Sequence, residues 1–339
     1  MIFHGIAESL RSKKTRIIFQ VLGIILFIYI LIRVDLSAVL KSFTKIKPLE
    51  VGIILIILVT FTFIKGLRWK ILLAGQGKSV SMLRSFSVYS AGLYLGVITP
   101  GRVGDFIKSL YLINRGFSFG KALFSSLVDR IFDLIFLVLI GYISFMFFPG
   151  IFKNQILVST LILIFTIIAV LVFFWRRDIL FRIAKNFTSL ILPSTLGSKM
   201  DQIISEVLDE FETLSLSSII GIILLTFGAW ALHYLTFIVF ANILSIEMSV
   251  SVLIVTVSAA IFTALIPVSI SGLGTRELVL IFIFNRIGLT REAAVAFSFS
   301  FIIVYIIQST IGMICWLTGP FHSRDLLSIT HAKDNLPKY

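Results

Sequence analysis

The chain has 339 residues, 58% hydrophobic and 14% charged, and its mean hydropathy of +1.05 lies outside the range of water-soluble domains. Its net charge of +13 could suit nucleic acid, but the basic residues sit beside apolar runs, where loops facing anionic lipid carry them, so nucleic acid is the weaker reading. The single cysteine, Cys315, leaves no internal disulfide, and His4, His233, His322 and His331 lack the paired spacing of a metal site, so no metal or cofactor is expected.

Arg11, Lys13, Lys14 and Arg16 precede an apolar run, 17–32, that lacks a small-residue cleavage site and reads as a retained first helix. A crossing helix needs about 20 apolar residues, and further spans fit 51–67, 122–148, 156–175, 217–240 and 293–318. The fold class is therefore an all-α integral membrane protein, a polytopic helical bundle. Two stretches interrupt this scheme: 85–113 is broken by TPGRVGD and 250–286 by PVSISGLGTRE. Each reads as two short helices meeting at a break, re-entrant where it lines a cavity, or as a span followed by a loop.

The two breaks resemble each other. Gly104, Asp105, Asn114, Arg115, Gly116 and Ser118 follow the first, and Gly274, Glu277, Asn285, Arg286, Gly288 and Thr290 follow the second, with a one-residue slip. Paired interrupted segments point to a transporter built from repeat halves, here roughly 51–148 and 217–318 of one membrane domain. The connector, 176–216, holds an amphipathic interfacial helix over 177–191. A second amphipathic stretch follows, whose acidic face (Asp201, Glu206, Asp209, Glu210, Glu212) suits docking onto the bundle or a partner. With both breaks re-entrant and the N-terminus inside, 21 of the 30 Lys and Arg fall on cytoplasmic stretches, so both termini are expected in the cytoplasm and the halves inverted.

Asp129, Arg130, Asp133, Arg276 and Glu277 fall within or beside the apolar zone. Counted from Lys121 at about 1.5 Å per residue, Asp133 lies roughly 18 Å deep, near the midplane. Charge there must pair or line a site, so Asp129, Asp133 and Glu277 are read as a proton relay or as ion pairs, with Arg130 in reach of Asp133. Arg68, Arg102 and Lys108 near the first break could fork a phosphate, although Lys108 alone reads better as a loop charge and Trp69 could belong to the interfacial aromatic belt.

These residues resemble the transmembrane region of lysylphosphatidylglycerol synthases, the flippase-like part of multiple peptide resistance factors. The resemblance rests on GLRWKILL with Arg68 and Trp69, TPGRVGDFIKSLYL with Arg102, Gly104 and Asp105, VDRIFDL with Asp129, Arg130 and Asp133, and PVSISGLGTRE with Pro267, Gly272, Gly274, Arg276 and Glu277. Asp105 and Asp129 stand where relatives often carry glutamate. The resemblance implies translocation of an anionic or aminoacylated phospholipid or a polyprenyl-linked lipid across the cytoplasmic membrane of a prokaryote. The soluble synthase domain is not in this sequence, so aminoacyl transfer is not carried over. The alternatives are a membrane-embedded lipid-modifying enzyme and an accessory subunit of cell-envelope assembly with biosynthetic partners.

Overall fold

The computed structural model describes residues 28–29, 31–32, 35–44, 46–99, 104–147, 160–161, 164–165, 182, 186, 194–265 and 272–319. The expected first helix (17–32), the span 156–175 and the interfacial helix 177–191 lie largely outside them, as do Arg102 and Pro267. Among the described residues every regular element is helical: α1 (Leu36–Phe43), α2 (Pro48–Gly75), α3 (Met82–Ile98), α4 (Ile107–Ile113), α5 (Phe119–Phe147), α6 (Ser194–Asp209), a 3-10 turn (Glu210–Thr213), α7 (Leu216–Ile243), α8 (Val250–Leu265), α9 (Thr275–Arg286) and α10 (Arg291–Thr318). Three of them, α2, α7 and α10, are long and apolar enough to cross a bilayer. The 29-residue α5 is one residue longer than each of them and carries Asp129, Arg130 and Asp133. Large apolar side chains such as Ile56, Leu224, Phe227 and Ile306 stand exposed along these helices, which water would penalise and lipid does not. The chain is an all-α polytopic membrane protein.

Local sequence sets the helix starts. Pro48 opens α2 while Glu50 accepts a bond from Lys47 N at 2.8 Å. Ser81, Ser215 and Thr290 cap α3, α7 and α10 by accepting from Arg84 N, Ser218 N and Ala293 N.

Two series of four helices then follow the same plan: a long helix, a shorter one, a break, a short helix and a second long helix. Helices α2 and α7 both have 28 residues. The turn after α2 takes a positive φ at Gly77 and the turn after α7 at Ser245; Gly116 and Gly288 do so ahead of α5 and α10. Helices α2 and α7 cross antiparallel, with Phe61 against His233, Ile64 facing Gly228, Arg68 bonded to Thr226 and Ile71 facing Gly221. Helix α3 lies along α10 and α8 along α5, while α4 and α9 pack on the long helices that follow them. The largest apolar core gathers Trp230, Phe237, Phe284, Phe297 and Phe301 from α7, α9 and α10.

The described residues on either side of each break approach one another. Gly104 N donates to Thr99 Oγ1 at 2.7 Å, and Asp105 sits against Gly96, where a Cβ would strike its carboxylate. Gly272 faces Ala264 in the same manner. With only seven residues α4 is too short to cross a bilayer, and it returns against α3, where Gly92 and Gly96 face Asp105 and Lys108.

The acidic connector docks on α5. Glu206 accepts from Gly120 N at 3.1 Å, Lys121 pairs with Glu210 at 2.8 Å, and Phe124 meets Phe211 edge-on at 4.6 Å. Glu210, one of the acidic residues of the stretch expected to dock, is buried by this contact.

Candidate functional site

The first half encloses a charged cluster. Arg68, on the inner face of α2, is fully buried. Its Nε and Nη2 reach Asp129 Oδ1 at 2.9 and 2.5 Å and Nη2 reaches Asp129 O at 3.0 Å. Its Nη1 meets Asp133 Oδ1 and Thr226 Oγ1, each at 2.8 Å, and Nη2 reaches Asp133 Oδ2 at 3.1 Å. Asp129 also accepts from Lys108 Nζ at 2.7 Å and Tyr89 OH at 3.0 Å. Asp133 accepts from Trp230 Nε1 at 3.2 Å and pairs with Lys65. The Lys65 ammonium lies 5.6 and 5.5 Å from the Phe61 and Trp230 ring centres, and Lys108 lies 4.3 Å from Tyr89. Heptad-like spacing explains the convergence: Asp129 and Asp133 share one face of α5, Lys65 and Arg68 one face of α2.

Next to this cluster, between the two series of helices, lies a cavity of about 270 Å³. Lys65, Arg130 and Asp133 line it together with Tyr89, Trp230, His233, Tyr305 and Gln308. Arg130, whose side chain is 27% exposed, pairs across the cavity edge with Asp105 of the first break. Trp230 stacks on Phe136 at 5.4 Å, and that stack divides the cavity from an apolar groove of about 250 Å³ on the α5–α7 face.

The second break is arranged differently. Glu277 Oε2 accepts from Gly274 N at 2.5 Å, capping α9, and Oε1 holds Arg276 Nη2 at 2.9 Å and bonds Ser298. Gly272 and Gly274 provide the positive φ of the turn. Arg276 and Glu277 are not among the residues lining the cavity.

The chain matches the family described as the lysylphosphatidylglycerol synthase TM region over residues 17–312. The chain belongs to this family. It is also similar to UPF0104 membrane protein PH1989 of Pyrococcus horikoshii, 26% identical over 253 residues that cover 68% of this chain and 75% of that protein. Membership in the lysylphosphatidylglycerol synthase TM family puts the chain among membrane proteins of lipid metabolism.

Within this member of the family, several residues stand elsewhere than the sequence suggested. Arg68 directs all its donors at protein, so it has no open fork for a phosphate and instead positions the two aspartates. Trp69 is not in an interfacial belt: it is fully buried and donates to Ser125 Oγ at 3.2 Å. Lys108 is a buried cluster cation, not a loop charge. Arg130 pairs with Asp105, while Lys65 and Arg68 take Asp133. Sequence reasoning missed Lys65, Tyr89, Trp230, His233, Tyr305 and Gln308. Lys65 had a signal, being the one charge inside the expected span 51–67. The others are aromatic or polar residues of ordinary kinds in apolar helices.

Proposed function

We propose that this protein translocates an anionic lipid, a phospholipid or a polyprenyl-linked lipid, between the leaflets of a cytoplasmic membrane, and that it is not itself a lipid-modifying enzyme. The observation that carries this reading is the charge balance beside the cavity. Lys65, Arg68 and Lys108 face Asp129 and Asp133, which leaves one positive charge in excess among these described residues, while Arg130 and Asp105 cancel. Excess charge at bilayer depth costs about 2.5 to 3.5 kcal/mol even on the lenient insertion scale. A phosphodiester in the cavity offsets it. Lys65 and Arg130 line the space and would meet the phosphate, while Arg68 and Lys108 stand behind them and fix Asp133 and Asp129.

The plan of the two helix series favours alternating access. Equivalent helices that cross antiparallel are what an in-plane two-fold axis produces, so the halves are read as an inverted repeat with the cavity on the axis. Both termini then lie in the cytoplasm.

The test uses the full chain in proteoliposomes carrying fluorescent phosphatidylglycerol or phosphatidylcholine, with dithionite to report the accessible leaflet. Wild type should accelerate movement of the anionic lipid over protein-free vesicles, and Lys65→Met and Arg130→Gln should each lower that rate at least tenfold. A wild-type rate equal to the vesicle background for every anionic lipid tried would favour the subunit reading over this one.

A further inference from the structure

Lys65 and His233 each stand seventeen residues after the first residue of their helices, Pro48 and Leu216. Asp133 and Tyr305 each stand fourteen residues after Phe119 and Arg291. All four line the one cavity. The correspondence extends to contacts outside it: Trp69 meets Ser125, and Phe237, at the same position of α7, meets Phe297, at the same position of α10. Phe61 opposes His233 on these antiparallel helices, so Lys65, four residues further along α2, lies about 6 Å from His233 along the helix axes at 1.5 Å per residue. Each basic side chain rests on an aromatic ring of the opposite helix, Lys65 on Trp230 at 5.5 Å and His233 on Phe61 at 5.4 Å.

We propose that His233 and Tyr305, with Gln308 beside them, form a second station for the lipid phosphodiester, on the other side of the midplane from Lys65. This deepens the translocation reading and rests on it. An imidazole, a phenol and a carboxamide all offer N–H or O–H donors to phosphate oxygens. They bring no carboxylate, and they bring less fixed positive charge than Lys65 and Arg130. The headgroup is therefore held tightly at one station and passed to a weaker one, from which it leaves. Phe61 and Trp230 form the apolar step between them.

The experiment prepares His233→Ala and Tyr305→Phe in the full chain. Translocation of fluorescent phosphatidylglycerol in proteoliposomes should fall at least tenfold in the first and about threefold in the second. Binding of dioleoyl phosphatidylglycerol to the detergent-solubilised protein, read by native mass spectrometry, should change less than threefold because the Lys65 station is intact. A merely structural His233 would lower binding and melting temperature together with transport, and that pattern overturns the proposal. A second readout does not depend on the lipid. In a Cys315→Ser background, Ile261→Cys, which lines the cavity, should be labelled by an impermeant maleimide from either face, and His233→Ala should shift the ratio between faces at least threefold. An unshifted ratio, or translocation at the wild-type rate in both variants, sinks the second station. If wild type moves no anionic lipid, the translocation reading fails by itself, and the labelling ratio still decides whether His233 and Lys65 govern opposite access states.

Discussion

Every guanidinium donor of Arg68 meets an oxygen of Asp129, Asp133 or Thr226, and no smaller cation reproduces that fork. Arg68→Lys keeps the charge but leaves part of two buried carboxylates unmet. It should lower stability by about 3 to 5 kcal/mol, the range for breaking one side of a buried ion pair, measured as urea or thermal unfolding in detergent. Asp105→Asn removes one carboxylate oxygen from a single pair with a partly exposed arginine and should cost clearly less in the same assay. The acids of this cluster were legible in the sequence because charge is rare in apolar helices. Their partners were not: Arg130 lies nearer Asp133 in sequence, yet α2 and α3 bring Lys65, Arg68 and Tyr89 from 40 to 68 residues away. Pattern along one helix cannot foresee what a packed neighbour supplies.

At the scale of elements, α3 and α10 approach each other closely. A Cβ on Gly312 would lie 2.2 Å from the carbonyl oxygen of Ser90, backbone that cannot swing aside. Gly312→Ala should push the two helices apart and destabilise by about 1 to 3 kcal/mol, seen as a lower melting temperature by fluorescence-detected gel filtration. The connector gives a pH-dependent counterpart. The Ser118 hydroxyl, then Gln202 and Gly120 N–H, hold the Glu206 carboxyl below its ordinary range. A depressed carboxyl contributes stability above its unfolded value, about 4.3, and loses it as pH falls through the folded value. Amide exchange across 194–209 should therefore quicken as pH drops below about 4, after correction for the intrinsic rate, and Glu206→Gln should abolish that change. Most long helices were readable from length and hydropathy to within a few residues, 217–240 becoming Leu216–Ile243 and 293–318 becoming Arg291–Thr318, whereas the expected span 51–67 runs on to Gly75 through Arg68 and Lys70. Whether a break returns or continues was not readable, because that depends on the contact of Gly96 with Asp105.

For the whole molecule, the proposed inversion of the halves predicts sidedness. A cysteine placed in TPGRVGD should be labelled by an impermeant reagent from the cytoplasmic face, and one in SISGLG from the outer face or through the cavity. Equal labelling of both from one face would remove the inversion and leave the charged cluster standing. The duplicated plan was visible in sequence only as a few recurring residues after each break. Structure extends it to turns and contacts, since Gly77 and Ser245 share a backbone conformation without sharing a side chain. The antiparallel α2–α7 pair also has a mechanical consequence. A 28-residue helix that pivots at its middle is a lever of two equal arms. A swing of about 10° moves the helix ends, some 20 Å out, by about 4 Å, but shifts a group 4 Å from the fulcrum by less than about 1 Å. In the proposed alternating access the ends of α2 would thus travel several times further than Lys65, which stays within reach of Asp133.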